Sequence, residues 1–420
     1  MSHRFVRGTV GRRRAALCAA LLLVSALGAC APAPPSPGPS ESTAATASSL
    51  SAPTGQPAPT EAASAPGTST NAASASPKAP DCPGDECIEV AVAGDILLHP
   101  ALWDQAEKDG KGSMDFGPLL EGIEPYLADS DLALCNLETP VAAPGGPFKG
   151  YPMFSVPPSV IPALKDVGYD GCTTASNHSM DAGVPGVKRT LDALDAAGLL
   201  STGSYRSAAE AAKPLMVEVG TARVAVIAGT FSLNGVAEDA PWRVDDIAKA
   251  SLVSRAKAAR AAGADIVMAA LHDGAEYSSE PTASQITLNR SLAESGEFDF
   301  IYSHHTHSVL PIEKHKGTWI VYGLGNSVAK HATRTVLNQE GITAKMQFVR
   351  TGKSWSPGKL VWAPHIMAQD PLRWCALPAA DGEPCTTKRQ DSASLKRTTD
   401  TVNSMNARTD GAKMWSLPQP

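Results

Sequence analysis

Scattered through the sequence are side chains whose types suit a divalent cation. Asp95 follows Gly94, Glu138 closes the tripeptide Asn136-Leu137-Glu138, Asn177 precedes His178, and His272 ends an apolar run. His305 and His307 flank Thr306 in the segment Ser303-His304-His305-Thr306-His307. Hard carboxylate and amide oxygens with imidazole nitrogens suit Mn, Zn or Fe, and the lack of a thiol among them argues against a structural zinc knuckle. One or two divalent ions are expected. Two ions about 3.5–4 Å apart need a bridging carboxylate, and they activate water for in-line attack on a phosphorus or acyl centre. His305 and His307 are the sharpest pair, because alternate residues of an extended segment project to one side. On that reading His304 points the other way and is not a ligand. Singly, each feature is ordinary: Asp95 reads as a turn or helix-cap residue, and His272 as a buried, hydrogen-bonded histidine. Their joint occurrence is what marks a site.

These residues stand at the ends of apolar runs. The pattern predicts strands over 88–93, 132–136, 171–175, 222–228, 264–271 and 298–303, with helices over 184–197, 245–262 and 283–294. Continuous apolarity in Val224–Ala228 and Ile266–Leu271 reads as strand buried on both faces. Strands alternating with helices indicate an α/β domain, in which ligands collect beyond the carboxyl ends of the strands. Residues 343–349 and 359–362 read as paired strands completing a sheet. The polar segment 392–409 reads as irregular or a short helix and receives no functional assignment.

The same blocks carry a family resemblance. Gly94-Asp95, Asn136-Leu137-Glu138, Asn177-His178-Ser179-Met180-Asp181-Ala182-Gly183, His272-Asp273-Gly274-Ala275-Glu276-Tyr277, His305-Thr306-His307 and Tyr322-Gly323-Leu324-Gly325-Asn326 resemble, in order, the CapA family of poly-γ-glutamate capsule synthesis proteins. Phe154-Ser155-Val156-Pro157-Pro158 fits the same pattern, and the resemblance runs from about Glu89 to Asn326. The family is similar to calcineurin-like metallophosphoesterases, which implies a four-layer α/β/β/α sandwich with two central sheets flanked by helices. It also implies roles. Asp95 binds a first ion, Glu138 bridges two, Asn177, His272 and His305 complete the second site, and His307 returns to the first. His178 is the implied general acid, since an imidazole titrates near neutral pH; the alternative is that it orients a neighbouring group. Glu276 and Tyr277 are implied substrate-binding residues, with loop packing the alternative.

Departures from the pattern narrow these expectations. Leu97 stands where phosphoesterases usually carry a histidine two residues after the first aspartate. The first ion then has a thinner ligand set, and binding of a single ion stays open. Ser303 replaces a usual glycine, Ser327 an aromatic residue and Ser176 an asparagine. His99 is expected to cap a helix, with a reach into the site from the turn after Asp95 the alternative.

Flanking segments give the chain an address. Arg4, Arg7, Arg12, Arg13 and Arg14 precede the apolar run Ala15–Ala29, which ends at Cys30. That run is shorter than the ~20 residues that span a bilayer and matches the core of a secretory signal. Leu27-Gly28-Ala29-Cys30 resembles a bacterial lipobox, which implies cleavage before Cys30 and lipid on its thiol. Residues 31–80 are mostly Ala, Pro, Ser, Thr and Gly, with Glu41, Glu61 and Lys78 the only charges, so they bury too little to fold and form a tether. The expected organisation is a signal peptide (1–29), a tether (30–81), a CapA-like domain (82–370) and a C-terminal extension (371–420). The expected location is the extracytoplasmic face of the cell membrane, held by lipid. Of six further cysteines, Cys82 with Cys87 and Cys375 with Cys385 bracket Pro/Gly loops and are the expected pairs. Cys135 and Cys172 sit in apolar strand-like runs, where burial as small hydrophobes is the equal alternative to a disulfide, and the full pairing of the six stays open.

Charge limits the partners. The chain carries 36 Lys+Arg against 42 Asp+Glu, net −6, and loss of the five leader arginines makes it more acidic. That balance argues against nucleic acid. A polyanion is admitted only where bound metal reverses the local sign. Two function classes follow: a metal-dependent hydrolase of an anionic polymer or phosphoester, or a non-catalytic polymer-binding accessory protein working with capsule-assembly membrane proteins.

Overall fold

Apolar strands covered on both faces dictate stacked layers here. The computed structural model describes residues 82–379 and 381–417. The signal segment, Cys30 and the tether lie outside the described residues.

One sheet contains β1 (Glu86–Leu97), β2 (Leu132–Leu137), β3 (Gly171–Thr173) and β4 (Leu200–Thr202) as parallel neighbours. The other contains β5 (Leu215–Val219), β6 (Ala222–Thr230), β7 (Ile266–His272), β8 (Phe300–His304), β9 (Ile312–His315) and β10 (Thr318–Val321), in the order β5-β6-β7-β8-β10-β9. The chain then returns to the first sheet as β11 (Asn326–Ala329), β12 (Glu340–Thr351), β13 (Ser354–Gln369), β14 (Leu372–Ala376) and β15 (Lys413–Met414). That sheet runs β14-β13-β12-β1-β2-β3-β4, with β11 paired to β1 and β15 to β13.

Alternation along β6 shows the layering. Val224, Val226 and Ala228 pack into one core with the first sheet, whereas Ala225 and Ile227 pack with Leu252, Ala256 and Leu292 of the helices Lys249–Ala261 and Ala283–Ala293. Helices Val160–Asp166 and Gly183–Ala196 add Leu164, Leu191 and Leu194 to the first core. Two stacked sheets with helices outside make the α/β sandwich that the sequence implied.

The sequence boundary at 370 falls in the turn between β13 and β14. Leu372–Ala376 continues the sheet antiparallel to β13, so residues beyond 370 are part of the domain's sheet. The unassigned polar segment is largely a helix, Lys388–Asn403. Its buried face is Ser394, Thr398 and Val402, two hydroxyls and one valine, so no apolar stripe betrays it. Thr387 caps it by accepting from the Gln390 N–H at 3.2 Å. Disulfides join Cys82 to Cys87, Cys135 to Cys172 and Cys375 to Cys385. The second pair sits directly across β2 and β3. No helix among the described residues is long and apolar enough to cross a membrane.

Candidate metal centre

Strand register gathers the polar residues. Asp95 on β1 stands beside Asn136 on β2 and Asn326 on β11, while His272 on β7 stands beside His304 on β8. Asp95, Asn136, His272 and His304 lie at or near the carboxyl ends of their strands, and Asn326 opens β11. Two glycine motifs meet to allow it: a Cβ on Gly94 would fall 2.1 Å from the Gly325 carbonyl oxygen, and that oxygen accepts from the Asp95 N–H at 3.1 Å. Gly325 itself has φ +71°, a conformation suited to glycine.

Asp95 is fully buried and surrounded by donors. Asn136 Nδ2 donates to Oδ1 at 2.9 Å, and the backbone N–H of His305 donates to Oδ2 at 3.2 Å. Nδ1 of His304 lies 3.2 Å from Oδ1, and Nδ1 of His307 3.2 Å from Oδ2. Burial raises this carboxyl, but His304 and His307 outweigh it and hold Asp95 well below the usual carboxylate range. His304 therefore does not point away as the extended-segment argument expects. Beyond the end of β8 the backbone turns, with φ +82° at His305 and +49° at His307, so strict alternation does not apply.

Glu138 presents the opposite picture. It too is fully buried, yet neither carboxylate oxygen has a hydrogen-bond partner. Burial pushes its carboxyl well above the ordinary value. Oε1 lies 3.7 Å from Nε2 of His272 and 3.9 Å from Nε2 of His307. Glu138, His305 and His307 each offer a donor atom within 4.8 Å of the others, and Nδ1 of His305 is likewise unpartnered. His272 reaches Asn177 through Nε2, 2.8 Å from Oδ1. Burial and the neighbouring His307 bring His305 down to about 3, and burial keeps His272 low as well, so both imidazoles are neutral. Burial would lower His307 also, but Glu138 and Asp95 raise it to about 9. A divalent ion fits this set: it would satisfy orphaned oxygens that otherwise incur the full cost of desolvation.

His178 stands next to this cluster. Its Nδ1 is 2.7 Å from Oδ2 of Asp181, which also accepts the Phe154 N–H at 2.7 Å. The Phe154 ring packs edge-on against the imidazole, with centroids 4.8 Å apart. Ser176 ties the loop down: its Oγ donates to the Glu138 carbonyl at 2.6 Å and accepts the His178 N–H at 3.1 Å.

The family described as bacterial capsule synthesis protein PGA_cap matches residues 89–331. The chain belongs to this family. Among curated relatives it is 28% identical over 256 residues to the PGA biosynthesis protein CapA of Bacillus subtilis, covering 58% of this chain and 64% of that protein. It thus spans less than two thirds of that relative. A probable polyglutamine synthesis accessory protein of Mycobacterium tuberculosis is 30% identical over 285 residues, with 58% and 74% covered. Among solved structures, the calcineurin-like phosphoesterase YfkN of Bacillus subtilis superposes with a TM-score of 0.40 at 14% identity, covering 75% of this chain and 97% of that one.

Within this capsule-family site, several residues escaped sequence reasoning. Asn326 stands in a quoted motif without a role, yet its Oδ1 lies 3.0 Å from Nδ1 of His307 and its Nδ2 donates to the Asn338 carbonyl at 2.9 Å. The His331 ring lies tilted against the His307 ring, centroids 4.5 Å apart, and contacts Asn326 and Tyr277, each at 3.2 Å. No pattern marked it, although it falls at the end of the family match. Tyr277 is thus brought to the site, whereas Glu276 is exposed and only its charge reaches Glu138 and His307. His99 occupies the N-cap of the helix Pro100–Asp109 without a side-chain cap bond. Its ring instead packs on Phe154 and His331. Leu97 is 2% exposed, inside the core.

Proposed function

We propose that this chain is an extracytoplasmic, lipid-anchored protein of polyglutamate capsule synthesis whose buried centre holds a divalent ion and hydrolyses an anionic polymer or phosphoester. The observation that carries the reading is Glu138: a fully buried carboxyl group with two unpartnered oxygens, facing the neutral imidazole of His272 and the ring of His307. Such a group is costly unless a cation meets it. The ion would be held by Glu138, His305 and His307, with His272 and Asn177 beside them; when bound, it supplies Lewis acidity at neutral pH. His178, held through Nδ1 by Asp181, keeps Nε2 available to protonate a leaving atom.

Substrate polarity follows from what adjoins the centre. A hollow beside His178 is lined by Lys149, Phe154, Asp181 and Arg189, and another beside His307 by Lys330, His331 and Arg334. Cationic side chains flanking the site of an acidic protein favour an anionic chain. A cavity of about 390 Å³ against the helix Lys388–Asn403 is lined by none of the site residues and plays no part here.

The second reading, a binder that handles polymer without cleaving it, draws on Leu97, an apolar core residue beside Asp95 that offers no ligand. His178→Ala separates the two on a panel of aryl phosphodiesters, phosphomonoesters and poly-γ-glutamate, each with Mn or Zn. The hydrolase reading expects normal metal content and polymer affinity with turnover lowered about 10²–10⁴-fold. No metal-dependent turnover by the parent protein leaves the binder. The anchor is tested separately: Cys30→Ala should free the protein from the membrane fraction or leave its signal uncleaved, and unchanged fractionation and processing would remove the lipid.

A further inference from the structure

The hydrogen bonds around Asp95 bear on how many ions the centre takes. Each Asp95 oxygen faces two nitrogens: Oδ1 meets Asn136 Nδ2 at 2.9 Å and His304 Nδ1 at 3.2 Å, and Oδ2 meets the His305 N–H and His307 Nδ1, both at 3.2 Å. A carboxylate offers about four lone-pair positions. Two accept hydrogen bonds, from Asn136 Nδ2 and the His305 N–H, and the other two face the imidazole nitrogens of His304 and His307 at 3.2 Å, so each is turned toward a nitrogen of the protein.

The hydrogen on His307 Nδ1 is fixed independently. Asn326 Nδ2 donates to the Asn338 carbonyl at 2.9 Å, which turns Oδ1 toward His307 Nδ1 at 3.0 Å. An amide oxygen only accepts, so Nδ1 carries the hydrogen and Nε2 is the nitrogen left for a ligand bond. Nε2 lies on the Glu138 side, 3.9 Å from Oε1. An ion between Asp95 Oδ2 and His307 would have to break formed hydrogen bonds. One among Glu138, His305 and His307 Nε2 meets oxygens and a nitrogen with no partner to lose. Leu97, two residues beyond Asp95 and within the core, adds no donor to the Asp95 side.

We infer that the centre takes one ion, on the Glu138 side, and that Asp95 is a positioning residue: it orients His307 and the turn after His304 and does not ligate. The inference rests on the metal-binding reading above and narrows its ligand set. Titration of the purified, ion-stripped full chain with Mn, followed by elemental analysis and electron paramagnetic resonance, tests it. One Mn per chain with an uncoupled six-line spectrum is expected. Two ions in an exchange-coupled spectrum would overturn the single-ion centre while leaving the metal-binding reading intact, and no bound Mn, Zn or Co would sink both. Asp95→Asn supplies the second test. It should keep the single ion at about 10–100-fold lower affinity, the loss typical of a group that orients a ligand, with unshifted visible bands in the Co-loaded protein. Shifted bands, or loss of the ion as complete as in Glu138→Gln, would make Asp95 a ligand.

Discussion

Asp95 and Glu138 are carboxylates at the ends of adjacent stretches of one sheet, both fully buried, yet their surroundings differ in kind. Burial raises both. At Asp95 the imidazoles of His304 and His307, together with two N–H donors, reverse the effect; at Glu138 no donor reaches either oxygen, and His307 offsets burial only in part. Burial therefore does not by itself assign a carboxylate its role. The count of donors within the protein does. A carboxylate whose lone pairs are filled behaves as scaffold, and one whose lone pairs are empty is waiting for something from solution.

The strongest way to break that contrast is to remove the empty side. Glu138→Gln keeps the shape and deletes the charge, so affinity for Mn or Zn should fall on the order of 10²–10³-fold, about one ligand's share of a metal-binding free energy. In the parent protein, free metal at 100 times its Kd should raise thermal stability by about 2.7 kcal/mol, a shift of roughly 5 °C by scanning calorimetry. The variant should melt near the ion-free parent and show no such shift, because no formed hydrogen bond is lost with the charge. A metal-induced shift of parental size in Glu138→Gln would mean the orphaned oxygens are not the binding atoms.

Why one carboxylate is filled and the other empty was only half legible in the chain. Types and order were readable: Asp95, Glu138, His272 and His305 end apolar runs, and such runs become strands whose carboxyl ends share an edge. The predicted strand over 264–271 forms as Ile266–His272, and the predicted helix over 184–197 as Gly183–Ala196. Contacts made across strands were not readable. His304 reaches Asp95 because alternation along β8 puts it on the face of Phe300 and Tyr302, toward the first sheet, while left-handed conformations at His305 and His307, which non-glycine residues adopt only under tertiary constraint, turn the chain back to the same place. His331 arrives because β11 pairs with β1, a partnership separated by more than two hundred residues. Likewise the helix Lys388–Asn403 hides its buried face behind hydroxyls.

A smaller effect probes the filled side through Asn326. This amide never touches the proposed ion. It fixes which nitrogen of His307 holds the hydrogen, bonding Nδ1 through Oδ1 while its own Nδ2 is anchored on the Asn338 carbonyl. Asn326→Ala should leave Glu138, His305 and His307 in place but free the His307 ring to rotate, because Asp95 Oδ2 at 3.2 Å becomes its one remaining Nδ1 contact with an acceptor. Metal affinity should drop about 10–100-fold, less than for Glu138→Gln. Asn326→Asp restores the acceptor oxygen and should recover most of that loss, since either oxygen of the carboxylate accepts from Nδ1–H. Isothermal titration with Zn on the three proteins decides it. Equal affinity in parent and Asn326→Ala would show that Asp95 alone orients His307, and failure of Asn326→Asp to rescue would show that the amide's bond to Asn338, rather than its bond to the imidazole, is what the centre needs.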